Sequence, residues 1–162
     1  MWRGAWASVK LLVLYLEYWI VGLSEEGFQV AKGNQLSALG FYSAAAHAYG
    51  QALKGTQSPW IHAELGWCYL NMDMADKAVE SLTVAYTRMA RPDVGLILVQ
   101  AFIAAGKLSD ASRLHAALKE AISPAASDLQ DTLSKVQRLL EGAITEHRLE
   151  QGPVIGNLKA DA

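Results

Sequence analysis

The chain has 162 residues, of which 52% are apolar, so it is long enough to bury the core of one domain. Its 14 basic and 16 acidic side chains nearly balance, which excludes the strong positive field of a protein that wraps nucleic acid. The single cysteine excludes an internal disulfide. Alanine and leucine far outnumber the β-branched residues, and this composition predicts an all-α fold.

Residues 1–24 form a hydrophobic N-terminal segment, in which the run over 5–23 is apolar apart from Lys10 and Glu17. As a membrane anchor this run is just long enough, and the flanking charges would place the rest of the chain outside the cytoplasm, but Glu17 lies well inside the span. As a signal peptide it lacks a clear cleavage site before Ser24. As a helix that packs on its neighbours or on a second copy, its aromatic residues suit an interface. We favour this third interpretation, with the anchor as the alternative.

A shift of 33 residues brings two sets of residues into register. The first set is small and consists of Ala45, Ala78 and Ala111; the second is bulky and consists of Leu36, Tyr69 and Phe102. Internal similarity at such a period predicts stacked copies of one helical unit.

The middle unit shows the pattern best. It contains Leu65, Gly66, Tyr69, Ala78, Leu82 and Ala85. This pattern resembles the tetratricopeptide repeat (TPR), in which Gly and Ala let two antiparallel helices approach and bulky residues fill the space between them. The resemblance implies a right-handed α-solenoid of three helix hairpins, at about residues 26–58, 59–91 and 92–123.

The flanking units keep this skeleton with substitutions. The first has Gly33, Leu36, Gly40, Tyr42, Ala45, Tyr49 and Ala52; the third has Leu98, Phe102, Gly106, Leu108, Ala111 and Leu118. In the third unit, Val99 occupies the small position of Gly66, and His115 occupies the bulky position of Leu82. In the middle unit, Asp73 stands where a turn glycine is usual.

Two Ser-Pro pairs, at Ser58 and Ser123, place a capping hydroxyl before a proline at the first helical position. After the second pair, apolar residues spaced three and four apart predict one amphipathic helix over 124–149 that closes the solenoid. Its stripe consists of Leu129, Leu133, Val136, Leu140 and then Ala143 or Ile144. Residues 150–162 are predicted to be a flexible tail.

Side chains suited to catalysis or metal binding do not cluster in the sequence. The histidines are scattered along the chain, at His47, His62, His115 and His147. Cys68 is interpreted as a small buried apolar residue. The sequence therefore predicts neither an enzyme nor a bound cofactor or metal.

In the TPR family the first helix of each repeat lines a concave groove, and the resemblance assigns that role to three sets of residues here. They are Val30, Asn34 and Ser37 in the first unit, Trp60, Ala63, Trp67, Leu70 and Asn71 in the second, and Leu96, Gln100 and Ile103 in the third. The set is mainly apolar and lacks the Lys and Arg residues with which TPR co-chaperones clamp a charged C-terminus. It suits an extended apolar segment of a partner protein.

The whole layout resembles the small bacterial TPR chaperones of type III secretion, which hold translocator proteins in the cytoplasm. The resemblance implies a cytoplasmic, non-catalytic chaperone or scaffold with a protein partner, and the N-terminal helix is a candidate for homodimer formation. Nucleic acid is not expected as a partner. The alternative is a membrane-anchored assembly factor or accessory subunit of a membrane complex, tethered through residues 5–23.

Overall fold

The computed structural model describes residues 24–150 and part of the N-terminal segment, namely positions 9, 10, 12, 13, 15, 16, 18, 19 and 22. Over 24–150 the chain is all-helical, as its composition predicts. The helices are α1 (Glu25–Ala38), α2 (Tyr42–Ala52), α3 (Pro59–Leu70), α4 (Ala75–Met89), α5 (Pro92–Ala104), α6 (Leu108–Ala121) and α7 (Ser127–Glu150). From α1 to α6, each helix packs against the next one along the chain. The predicted tail beyond α7 lies outside the described residues.

The connections α1–α2, α3–α4 and α5–α6 share one backbone geometry. In each, an N–H donates back to the carbonyl of a bulky residue five positions earlier, over 2.8–2.9 Å; the pairs are Phe41 to Leu36, Met74 to Tyr69, and Lys107 to Phe102. The residue before each donor has a positive φ, of 82° at Gly40, 57° at Asp73 and 69° at Gly106. Aspartate is one of the few residues besides glycine that adopts this conformation. The turn at Asp73 therefore keeps the geometry of the other two.

The small residues that repeat in the sequence lie where helices touch. Ala45, Ala78 and Ala111 have no exposed surface. A Cβ atom on Gly66 would lie 2.5 Å from Cγ of Leu82, so the backbone of α3 is held close to α4. The small position of one helix and the bulky position of the next therefore set the distance between the two helices.

In the third unit, Gly95 provides the close approach, although the sequence pattern did not single it out. A Cβ atom on Gly95 would lie 2.8 Å from the Tyr86 ring and 2.9 Å from a methyl group of Leu118. Gly95 lies one turn before Val99, which holds the aligned position. The tight contact has thus moved by one helical turn relative to the middle unit.

The buried apolar side chains form three clusters that follow the chain. One joins α1, α2 and α3, the next joins α3, α4 and α5, and the last joins α5, α6 and α7. Half-buried aromatic residues belong to two clusters at once: Tyr69 packs against the first and second, and Tyr86 and Phe102 against the second and third. The core is therefore continuous from α1 to α7.

The described residues between positions 9 and 19 are helical and lie against α1. The rings of Tyr15 and Tyr18 have their centroids 4.9 and 4.5 Å from that of Phe28, and the Tyr18 hydroxyl donates to a carboxylate oxygen of Glu25 over 2.9 Å. The ammonium group of Lys32 lies 5.9 Å from the centroid of the Tyr15 ring. No helix among the described residues is both long and apolar enough to cross a membrane.

The closing helix α7 begins at Ser127, three residues after the start predicted at Pro124. The hydroxyl of Ser123 accepts from the N–H of Ala125 over 3.3 Å, and the backbone carbonyl of Ser123 accepts from the N–H of Ala126 over 3.0 Å. A turn therefore precedes the helix. The helix then buries Leu133, Val136 and Leu140, residues of the predicted stripe, in the last cluster.

Ser58 is the N-cap residue of α3 and Pro59 its first residue, as predicted, but the Ser58 hydroxyl makes no capping hydrogen bond. The second predicted cap, Ser123, lies in the turn before α7. Ser24 instead caps α1, since its hydroxyl accepts from the N–H of Gly27 over 3.1 Å.

Replacing His115 by leucine is expected to raise the free energy of unfolding by about 1 kcal/mol. His115 is 7% exposed, and its Nε2 atom has no hydrogen-bond partner among the described residues. Leucine would remove that buried, unpaired nitrogen while still filling the space. Urea denaturation followed by circular dichroism measures the change, with the exposed His47→Leu as the control. A loss of stability in His115→Leu would contradict this account.

Candidate functional site

Helices α3, α5 and α7 lie side by side, because α5 contacts both of the others. A cleft of about 520 Å³ opens between them. Its walls consist of Leu70, Asp73, Gln100, Ile103, Ala104, Arg138, Leu139, Gly142, Ala143 and Glu146. On α5 and on α7 the lining residues are spaced three or four apart, so one face of each helix forms a wall. We call this site the α3–α5–α7 cleft.

Three of the predicted groove residues, Leu70, Gln100 and Ile103, line the α3–α5–α7 cleft. Trp67 lies one turn before Leu70 on the same face of α3, and Trp60 lies two turns further back. Both tryptophans are exposed, by 36% and 44%. Trp67 therefore extends the apolar surface of the cleft by one turn along α3, and Glu64 lies between it and Trp60.

The exposed ring of Trp60 has a neighbour within the chain. The guanidinium group of Arg91 lies 5.8 Å from the ring centroid, and it also pairs with the carboxylate of Asp93 over 2.6 Å. Even with this neighbour, the Trp60 side chain remains 44% exposed.

Two other predicted groove residues belong to the core. Leu96 has no exposed surface and packs with Leu118 and Val136, because α6 and α7 cover that side of α5. Ala63 is 6% exposed and packs with Leu82 at the α3–α4 contact. Neither is accessible to a partner in this structure.

The three predicted residues on α1 lie outside the lining of the cleft. Val30 packs against the first core cluster. The side-chain carbonyl of Asn34 accepts a hydrogen bond from the Tyr49 hydroxyl over 2.8 Å. Ser37 is half-buried and lies beside the thiol of Cys68. These contacts are with α2 and α3.

Two of the amide side chains predicted to face a partner, Asn71 and Gln100, have different surroundings. The side-chain NH₂ of Asn71 donates to the carbonyl of Trp67 over 2.8 Å and so satisfies the end of α3. Gln100, by contrast, stands on the wall of the α3–α5–α7 cleft. Gln100 is therefore the predicted amide placed to bind a ligand there.

The α7 wall of the cleft is the part that the repeat pattern missed. Leu139, Gly142, Ala143 and Glu146 follow a spacing of three, one and three residues, which places them on one helical face. That face adjoins the buried stripe of Leu133, Val136 and Leu140. The signal available in the sequence was Leu139, an apolar residue at the edge of the stripe on a helix predicted only to close the fold.

Charges in the cleft are mixed. Asp73, Arg138 and Glu146 contribute one cationic and two anionic groups, all from lining residues. The apolar contribution comes from Leu70, Ile103 and Leu139, and the last of these is 56% exposed. The cleft thus combines an apolar surface with polar groups of both signs.

The single cysteine is a poor nucleophile at neutral pH. Cys68 has no exposed surface, and burial raises the pKa of its thiol to about 11. The thiolate is the nucleophilic form, so it is scarce at neutral pH. Burial also raises the pKa of the nearby Glu64 carboxyl above its ordinary value.

No protein-family model matches the chain, and no curated protein is significantly similar to it in sequence. Over the part of the chain that the structure describes, no group of three or more His, Cys, Asp or Glu side chains is arranged to hold a metal ion.

Proposed function

We propose that the protein is a non-catalytic, TPR-like interaction module, built as a right-handed α-solenoid of three helix hairpins with α7 as the closing helix. The repeated turns at Gly40, Asp73 and Gly106 and the repeated helix contacts support this architecture. In such an arrangement the first helices of successive units stack side by side and form an extended binding surface. The contacts of α5 with α3 and with α7 fit that arrangement.

The α3–α5–α7 cleft is the observation that carries the functional proposal. Its size lies in the range of ligand sites, and it accommodates a few side chains rather than a folded domain. The exposed indole of Trp67 extends the apolar surface beyond it along α3. We propose that an extended apolar segment of a partner protein binds here, with side chains in the cleft and against Trp67.

The polar groups of the cleft suit the backbone of such a segment. Gln100 offers both a donor and an acceptor, Arg138 offers donors, and Glu146 offers acceptors. An extended peptide presents N–H and C=O groups that need such partners once water is excluded. Because Asp73 and Glu146 offset the single arginine, a free carboxylate end is a poorer ligand for this cleft than the middle of a chain.

By this proposal the protein acts as a chaperone or scaffold that keeps an apolar partner segment from aggregating. The resemblance to type III secretion chaperones implies a cytoplasmic location for that activity. The role needs no chemistry from the protein beyond burial of apolar surface, which is favourable by about 25 cal/mol per Å².

Changing Leu139 to aspartate is expected to weaken peptide binding at least ~10-fold, because a charge would replace an apolar wall of the cleft. The probe is a fluorescein-labelled twelve-residue peptide of alternating leucine and serine, titrated with the full-length protein and followed by fluorescence anisotropy. A peptide of the same length that ends in four acidic residues is expected to bind more weakly than the apolar one.

The matched control is Leu149→Asp, on the same helix at a position 76% exposed and outside the lining. It should bind the apolar peptide as the unchanged protein does. Equal loss of binding in both variants, or no binding of the apolar peptide to the unchanged protein, would overturn the proposed site.

A further inference from the structure

The helical N-terminal residues leave one face uncovered. Tyr15 and Tyr18 contact Phe28 of α1, although Tyr15 remains 50% exposed. Val9, Leu12, Val13, Leu16 and Trp19 are 45–85% exposed and make no ring contact with α1. These five apolar residues follow a spacing of three, one, three and three, which defines a single stripe along a helix. Trp19 is the most exposed of them, at 85%. An apolar stripe of this size on the outside of a helix is the surface of an interaction site.

The spacing of this stripe fits another helix. Val9, Val13 and Leu16 are four and three residues apart, and Ile20 and Leu23 continue the alternation in the sequence. Alternation of four and three is the period of a coiled-coil seam, in which side chains of one helix fit between those of the next. We propose that the stripe binds the same stripe of a second copy of this chain, with the two helices antiparallel.

Charge complementarity selects both the partner and the orientation. Lys10 and Glu17 are seven residues apart in the sequence, so the proposed seam gives both the same heptad position. In an antiparallel pair with Val13 of one copy opposite Leu16 of the other, Lys10 of each copy lies beside Glu17 of its counterpart. Two opposite-charge pairs form by symmetry, one on each side of the two-fold axis.

On the other flank of the seam, the same antiparallel register places apolar residues of the two copies beside each other. Leu12 of one copy lies beside Trp19 of the other, so the most exposed side chain of the stripe gains an apolar neighbour. A parallel pair would instead set Leu12 beside Glu17, and the charges would have no counterparts. The interior of a bilayer would likewise leave Lys10 and Glu17 without a counter-charge.

The contacts with α1 are compatible with this dimer. Phe28 packs between Tyr15 and Tyr18 on the inner side of the segment, which the outer stripe does not use. Each of the paired helices would therefore be supported by the α1 of its own copy. The dimer surface is also distinct from the α3–α5–α7 cleft, so each of the two proposals can be tested independently of the other.

Charge exchange at positions 10 and 17 tests the dimer. The full-length protein is expected to sediment as a dimer in detergent-free buffer. Lys10→Glu alone and Glu17→Lys alone each replace two attractive pairs by two repulsive ones, and each should weaken the dimer at least ~10-fold. An equimolar mixture of the two variants should restore the dimer as a heterodimer, because every pair is then attractive again.

Three outcomes would overturn the proposal. The first is a monomer at all concentrations for the unchanged protein. The second is a dimer that both single variants leave intact, with circular dichroism confirming that they fold. The third is a protein that floats with vesicles of phosphatidylcholine and phosphatidylglycerol and shows no self-association in buffer, which would assign the stripe to lipid.

Discussion

Replacing Tyr49 by alanine is expected to lower the free energy of unfolding by about 3–5 kcal/mol, the range for removing a buried aromatic ring. Tyr49 has no exposed surface, and its ring lies directly on the backbone of α1, where a Cβ atom on Gly33 would lie 2.6 Å from it. Removal of the ring would leave a cavity that α1 and α2 cannot close without losing their other contacts. Urea denaturation monitored by circular dichroism measures the loss.

The Tyr49→Phe variant separates the ring from the hydroxyl. The hydroxyl donates to Asn34 over 2.8 Å, and burial raises the pKa of the phenol, so the group remains a neutral donor. Its removal is expected to cost about 1 kcal/mol. If the alanine variant loses no more than the phenylalanine variant, the ring does not hold α1 and α2 together as described.

Gly66→Val is expected to destabilise the protein by about 3 kcal/mol, the upper end of the range for an overpacked core. A Cβ atom there would lie 2.5 Å from Cγ of Leu82 and 3.2 Å from its backbone nitrogen. The side chain of Leu82 is fully buried and the backbone of α4 cannot yield locally, so α3 and α4 would have to move apart. The same urea measurement reports the effect.

The control for this variant is Gly50→Val, because a Cβ atom on Gly50 in α2 has no neighbour within 4 Å. Its expected change is within about 0.5 kcal/mol, as for other substitutions that meet open space. Equal effects at Gly50 and Gly66 would show that the loss reflects the β-branched side chain in a helix rather than the contact between α3 and α4.

The repeated helix contacts were predictable because they depend on local spacing. Ala78 and Leu82 are one turn apart on α4, and both are fully buried, as the repeat pattern indicates for those positions. The turn between α3 and α4 keeps the geometry of the other two without the usual glycine, because Asp73 tolerates the left-handed conformation. In the third unit the close approach is at Gly95, one turn before the aligned Val99.

The binding surface was predicted only in part. Leu70, Gln100 and Ile103 line the α3–α5–α7 cleft as the pattern suggests, but Leu96 lies under α6 and α7. Repeat positions describe which face of a helix points away from its own hairpin. They do not describe which part of that face a later helix covers, and α7 covers part of it while adding Leu139 to the wall.

The sequence by itself determined the all-helical fold, the helix contacts that recur every 33 residues and the apolar character of the N-terminal run, because each follows from residue type and local spacing. Only the tertiary structure decided where α7 lies, which predicted residues stay accessible and which side of the N-terminal residues faces α1. Burial and exposure of that kind depend on contacts between residues far apart in the chain, and no local pattern specifies which helix covers which face.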